Sequence, residues 1–182
     1  FDIGYETNFK KINTNFIISA FKITYEDPIT DWKSNFDNGN IYVQKNSEGK
    51  VKSKGIEISS AWRPKDNFKI SLNYNYNDTY YGPDCDNPDN DATKCIDTSS
   101  VRVPRHEITS ALNYKISENL KNKFIIRYSG ETRDYGNGNN NYADQILDDY
   151  ITFDYSANYK LGGYNLFFIA NNIFDQNYEE AW

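Results

Sequence analysis

Ile151-Thr152-Phe153-Asp154-Tyr155-Ser156-Ala157-Asn158-Tyr159-Lys160, then Leu161-Gly162-Gly163, then Tyr164-Asn165-Leu166-Phe167-Phe168-Ile169-Ala170-Asn171-Asn172-Ile173-Phe174, is the stretch that decides the fold. In the first arm apolar residues hold every odd position and polar residues every even one. A period of two belongs to a strand with one apolar and one polar face. The paired glycines supply the positive φ angles of a tight turn, so the second arm returns as the other half of a hairpin. The first arm alternates for about ten residues, the length a tilted strand needs to cross a bilayer. Strands of soluble proteins are nearer about five or six.

The same alternation recurs outward from this hairpin. It is cleanest in Phe68, Ile70, Leu72, Tyr74 and Tyr76 against Lys69, Ser71, Asn73, Asn75 and Asn77. It returns in Ile56, Ile58 and Trp62 against Gly55, Glu57, Ser59 and Ala61, and in Ile108, Leu112 and Tyr114 against Glu107, Thr109, Ala111, Asn113 and Lys115. Phe124, Ile126 and Tyr128 repeat it. Near the start, Ile3, Tyr5 and Phe9 form one apolar set, and Ile17, Phe21, Ile23 and Tyr25 are read as the apolar face of the second strand. A short strand is predicted over residues 41–44. No helical period lasts beyond a turn.

The connections fall in strict order of length: short at 10–13, long at 27–50, short at 63–67, long at 78–100, short at 117–119, long at 131–148, short at 161–163. In an up-and-down meander this gathers every short turn at one end and every long loop at the other, as in outer-membrane barrels. A β-sandwich would mix lengths and cross over. Turning the apolar face inward would crowd a small lumen with aromatics, so Tyr, Phe, Ile and Leu are assigned to lipid and Asn, Ser, Lys and Glu to the interior. Ile70, Leu72, Tyr74, Ile151, Phe153 and Tyr155 then face lipid, and Asn73, Asn75, Glu57, Arg127 and Asp154 face inward. Tyr5, Tyr25, Trp62, Tyr74, Tyr76, Tyr114, Tyr128 and Tyr159 are read as aromatic girdles.

Composition agrees with placement by pattern rather than by runs. Among 182 residues there are 16 Tyr and 11 Phe, yet no apolar run approaches the roughly 18 residues of a spanning helix. The formal charge of -6 excludes nucleic acid as a natural partner, which selects a basic stripe. Phe1-Asp2-Ile3-Gly4 has neither the basic start nor the apolar core of a signal peptide. A chain that opens in mid-pattern without Met is expected to be part of a longer one. Cys85 and Cys95 lie in a polar loop without histidine neighbours, which favours a disulfide in an oxidising compartment over zinc, with two free thiols as the other reading. Asp84, Asp86, Asp89 and Asp91 share that loop. Their oxygens suit calcium, but the spacing is not that of an EF-hand, and a solvated acidic loop is the preferred reading. No other cofactor is expected.

Asn171-Asn172-Ile173-Phe174-Asp175-Gln176-Asn177-Tyr178 resembles the Asn-Leu-Phe-Asp-x-x-Tyr motif of TonB-dependent outer-membrane receptors, matching at Asn172, Phe174, Asp175 and Tyr178 and departing at Ile173. Gly55-Ile56-Glu57 resembles the family's Gly-(Val/Ile)-Glu step, and Pro104-Arg105 the Pro-Arg that opens a later strand. The stretch from Phe21 to Ile29 is similar to the family's Phe-x-x-x-x-Asp-x-Ile strand end. Tyr178-Glu179-Glu180-Ala181-Trp182 leans toward the cobalamin-receptor-like branch.

The resemblance implies an all-β antiparallel transmembrane barrel of which residues 1–182 form a C-terminal piece of about eight long strands. The sheet is expected to be open, with bare edges at residues 1–9 and around Ile169. The plug domain and the final strand would lie outside it. It implies a bacterial outer-membrane location and import of cobalamin, a ferric siderophore or haem, driven by the TonB energy-transducing complex acting on the plug. Trp32, Tyr80, Tyr81, Tyr135 and Tyr142 are the aromatics in the long connections that would meet such a ligand. A passive porin-like channel is the alternative. An outer-membrane barrel enzyme is a more distant one, because His106 is the only histidine, stands at a strand start, and leaves no nucleophile and base pair to assemble.

Overall fold

The computed structural model describes residues 1–26, 29–35, 41–46, 50–82, 98–99, 102–135 and 144–180. One antiparallel sheet contains β1 (Asp2–Phe9), β2 (Thr14–Glu26), β5 (Lys50–Lys65), β6 (Phe68–Gly82), β8 (His106–Lys115), β9 (Leu120–Ser129), β12 (Tyr150–Leu161) and β13 (Tyr164–Ala170), neighbours in that order. A two-residue strand, β7 (Thr98–Ser99), adds to β6. Two small hairpins lie within the long connections: β3 (Ile29–Asn35) with β4 (Ile41–Asn46), and β10 (Thr132–Tyr135) with β11 (Asp144–Leu147). Among the described residues β1 and β13 do not pair with each other, so the sheet is an open segment of a barrel wall.

Short turns close one end. Asn13 takes a left-handed conformation after a single 3-10 turn over Lys10–Ile12, and its side chain donates to Arg63 O at 2.7 Å, tying the first turn to the next hairpin. In the β12–β13 turn Gly162 has φ +58°, and it alone of the two glycines takes a positive φ. In the β8–β9 turn Lys115 Nζ donates to Glu118 at 2.6 Å, and this bond holds the Glu118 carboxyl below its ordinary value. A lowered carboxyl favours the folded turn above its unfolded value, an advantage lost as pH falls through the folded one.

Register separates the two faces. One row runs Trp62, Ile70, Leu112, Phe124 and Tyr155, and the next runs Ile58, Tyr74, Ile108, Tyr128 and Ile151. The opposite face carries Glu57, Asn75 and Glu107 in one row and Ser59, Asn73, Thr109, Arg127 and Thr152 in another. Burial is inverted relative to a water-soluble domain. Among the described residues Thr152, Asp154 and Asn122 are buried, Leu147 is the only buried apolar residue, and Ile3, Tyr5, Leu72, Phe124, Ile151 and Phe168 are exposed. Such an exposed apolar face is stable only where the surrounding medium is itself apolar.

The register corrects the reading of β2. Ile17, Phe21, Ile23 and Tyr25 pair with Ser59, Gly55, Ser53 and Val51, so they stand on the interior side with Glu57, and Tyr25 belongs to no lipid-facing girdle. Phe16, Ile18 and Ala20 take the outer side instead, opposite Thr7, Tyr5 and Ile3 of β1. This strand is apolar at both parities, so alternation alone cannot choose its face; its neighbours do. Strand lengths differ as well. β6 runs on to Gly82, where the sequence suggests a loop, while β13 stops at Ala170 instead of continuing to Phe174. The left-handed Asn172, φ +48°, is incompatible with continued extension.

Placing Arg at Leu72 is expected to lower the unfolding free energy in lipid vesicles by about 2–4 kcal/mol. Placing it at Asn73 should cost about 0.5–1.5 kcal/mol, the worth of the bond from Ser59. Denaturant titrations followed by tryptophan fluorescence would check the contrast; equal losses would contradict the face assignment.

Candidate functional site

Over β5, β6 and β8 the interior face carries a set of hydrogen-bonded polar side chains. Ser19 Oγ donates to Glu57 Oε2 at 3.4 Å, Ser59 Oγ to Asn73 Oδ1 at 2.8 Å, and Asn75 Nδ2 to Glu107 Oε2 at 3.1 Å. Ser53, Asn77 and Thr79 close a triangle of bonds nearer the long-loop end. Asn75 Oδ1 is buried without a hydrogen-bond partner among the described residues, which marks a position suited to water or a ligand donor. Between Glu107, Thr109, Arg127, Asp154 and Asn172 lies a concavity of about 430 Å³, and a second, of about 340 Å³, shares Glu107 and Thr109 and reaches Glu57 and Asn73. Carboxylates and amides predominate here, with Arg127 as the cation, so the surface offers many directional contacts to a polar solute and no apolar trap.

Arg127 Nη1 donates to Asp154 Oδ2 across adjacent strands, and the second carboxylate oxygen of Asp154 accepts from the backbone N–H of Asn172 at 2.9 Å. One buried carboxylate thus joins β9, β12 and the segment after β13. That segment is folded by its own sequence. Asn172 Nδ2 donates to Gln176 O at 2.9 Å while its Oδ1 accepts from Gln176 N at 3.0 Å, a two-bond clasp that needs an amide side chain. Asp175, φ +52°, makes the second left-handed step, its N–H donating to Asn172 O at 2.9 Å. Phe174 packs edge-on against Phe153 with centroids 5.0 Å apart, and Tyr178 stacks on Tyr150 at 4.3 Å. The sequence names these motif residues but not Asp154 as their anchor. The only signal was an acid set in the middle of an otherwise uncharged run.

Gly55 is fixed by space. A Cβ there would lie 2.5 Å from Phe21 Cζ and would also meet the backbone oxygen of Tyr76. Its ring neighbour therefore lies flat on the sheet where any other residue would lift it. Glu57, two positions on, stands in the polar row described above. Pro104 and Arg105 lead into β8, with Arg105 O accepting from Asn77 N at 3.0 Å. His106 opens β8 on the lipid-facing side, 3.0 Å from Tyr74 OH and against the Tyr76 ring, away from the polar concavities.

Trp32 falls in β3, Tyr80 and Tyr81 in β6, and Tyr135 in β10, all at the long-loop end. Tyr142, Cys85, Cys95, Asp84, Asp86, Asp89 and Asp91 lie outside the described residues. Among the described residues no cluster of three His, Cys, Asp or Glu side chains is placed to hold a metal ion.

An open antiparallel wall, lipid-facing on one side and polar on the other, with short turns at one end and long loops at the other, defines a segment of an outer-membrane β-barrel. The chain belongs to the family described as TonB dependent receptor-like, beta-barrel, whose model matches residues 1–173. Such barrels reside in the outer membrane of Gram-negative bacteria, and that is where this chain is placed. Its fold is similar to that of the ferric-catecholate import receptor Fiu from E. coli K12 (TM-score 0.67, 19% identity, 97% of this chain and 23% of that one). It is similar also to the FrpB iron transporter from Neisseria meningitidis (TM-score 0.69, 18% identity, 97% and 27%) and to the siderophore receptor PiuA from Acinetobacter baumannii (TM-score 0.67, 22% identity, 98% and 24%). The chain spans about a quarter of the length of these structures.

Gly55→Val is expected to cost about 1–3 kcal/mol by overpacking. The double variant with Phe21→Ala should recover part of that loss, since the Tyr76 backbone contact persists. Unfolding midpoints of the two single variants and the double variant would show the coupling; strict additivity would mean the ring does not depend on the missing Cβ.

Proposed function

We propose that this chain is part of a receptor that imports a scarce metal chelate across the outer membrane, driven by the TonB complex. Family membership over residues 1–173 is the observation that carries the reading. The iron and siderophore receptors among its structural relatives favour a ferric siderophore over cobalamin or haem. In this reading the rest of the receptor supplies the plug domain, the closing strand and the further strands that complete the wall. The polar interior face supplies the contacts that a plug or a passing hydrophilic solute requires. Trp32, Tyr80, Tyr81, Tyr135 and Tyr142 are assigned to ligand capture at the long-loop end. Asn172, Phe174, Asp175 and Tyr178 are assigned to shaping the wall, together with Gly55, Glu57, Pro104 and Arg105.

The test uses the full-length receptor in its host under iron limitation, with ferric siderophore, haem or cobalamin supplied separately. Uptake of the ferric chelate is expected, abolished when TonB is deleted. Tyr80→Ala with Tyr81→Ala should weaken ligand binding by about three- to tenfold. Uptake that persists without TonB would establish the passive channel instead.

Cys85 and Cys95 are proposed to form a disulfide that shortens the acidic loop between β6 and β8. Peptide mass spectrometry of receptor isolated from the outer membrane should find the two cysteines cross-linked, and two alkylatable thiols would refute the bridge. A calorimetric heat on adding calcium to the same material would assign a metal to Asp84, Asp86, Asp89 and Asp91.

A further inference from the structure

Charge is sorted by height along the interior face. The rows from Glu57 to Ala61 carry Glu57 and Glu107, then Glu6 with Arg127, then Asp154, so carboxylates prevail there. The next rows toward the short turns reverse the sign. One runs Lys69, Asn113, Lys123, Ser156 and Ile169, and the other Lys115, Lys121, Asn158 and Phe167. A concavity of about 560 Å³ spans them, and of the charged residues along it Arg63, Lys69, Lys115, Lys121 and Lys123 are cations while Asp66 is a carboxylate. Lys115 is bonded to Glu118 in the adjoining turn. Among the described residues Lys69, Lys121 and Lys123 make no ion pair. The register sets Lys115 directly opposite Lys121, and like charges so placed repel. Beside them on the same face, Phe167 and Ile169 are 70% and 68% exposed, turned to the lumen rather than to lipid.

We propose that this basin seats an acidic segment of the plug domain, one that also carries an apolar side chain, and so ties the plug to the wall at the short-turn end. The inference rests on the reading of the chain as part of a plugged receptor. Sign and chemistry together choose the occupant. Lysines converging in a concavity are stabilised by carboxylates brought among them, and partial exclusion of water strengthens such pairs relative to those on an open surface. A free anion would satisfy the lysines and leave the Phe167 ring and Ile169 in water, whereas a peptide segment covers both. The sorting of charge also sets the height of the seat. An acidic segment displaced toward the long loops would meet Glu107 and Glu57, and like charges brought together at an interface disfavour that register.

The experiment treats the full-length receptor, in isolated outer membranes, with a water-soluble carbodiimide that joins a lysine amine to a carboxylate in contact with it, and reads the products by peptide mass spectrometry. Amide links from Lys69, Lys121 or Lys123 to Asp or Glu of the plug domain are expected. K69Q/K121Q/K123Q should lose those links and should surrender its plug to protease at least about tenfold faster than the parent. K69R/K121R/K123R should keep the parent rate, as should K10Q/K11Q, which removes cations from the first turn, outside the basin. Added salt should speed plug cleavage in the parent and leave K69Q/K121Q/K123Q unchanged. Heat-modifiable migration of each variant shows that the wall itself is folded. Links confined to wall carboxylates such as Asp66 and Glu118, links to another protein, or a cleavage rate unchanged in K69Q/K121Q/K123Q would overturn the proposal. TonB-dependent uptake by the parent, measured in parallel, separates the two readings. Uptake without the plug links strikes the seat alone, and loss of TonB dependence strikes the receptor reading and the seat with it.

Discussion

Within a bilayer the backbone has no water to turn to, so every N–H and C=O at membrane depth must find a partner inside the protein. The structure follows from that constraint. Eight long strands run antiparallel with nearly unbroken ladders, and the register shift in the β5–β6 ladder lies between Trp62 and Lys65, at its short-turn end. Ladder pairing leaves the side chains to choose faces, and lipid makes the choice opposite to water: Leu72 and Ile151 outward, Asp154 and Thr152 buried. The interior is then held by hydrogen bonds rather than by an apolar core. The Asn75–Glu107 and Ser59–Asn73 bonds are strand-to-strand links of that kind.

The hierarchy explains which residues look exceptional. A polar interior can be dense only where side chains satisfy one another, and Asp154 does this for three segments at once through Arg127 and the Asn172 amide. Where the interior is apolar, as at Phe21, room must be made in the neighbouring strand, and Gly55 makes it. Asn172 and Asp175 carry the chain through left-handed conformations that asparagine and aspartate tolerate better than most residues, and the Asn172 amide then fixes the new direction.

Much of this was legible in the sequence because lipid favours a period of two on the central strands, as Phe68 to Tyr76 shows. The order of short and long connections revealed the meander for the same reason. What could not be read was any feature decided by a partner strand. β2 is apolar on both sides, so its face depends on Tyr5 and Ile58 across the ladders. The role of Asp154 depends on Arg127, at a sequence separation of 27. The extra length of β6 was hidden because Asp78 to Gly82 has the composition of a loop, yet pairs residue for residue with Lys50 to Lys54.

That extra length has a mechanical consequence. β5 has 16 residues and β6 has 15, about 50 Å of strand, which at a barrel's tilt gives a wall about 35 Å high against an apolar band of about 25 Å. Since β5 ends at Lys65, three residues past Trp62, and β6 begins at Phe68, most of the surplus stands on the other side. It forms a paired parapet above the headgroups. Whatever the loops hold is therefore mounted on stiff sheet at a set height, clear of the lipid surface, and a change in bilayer thickness alters how deeply the wall sits without bending the rim that carries them.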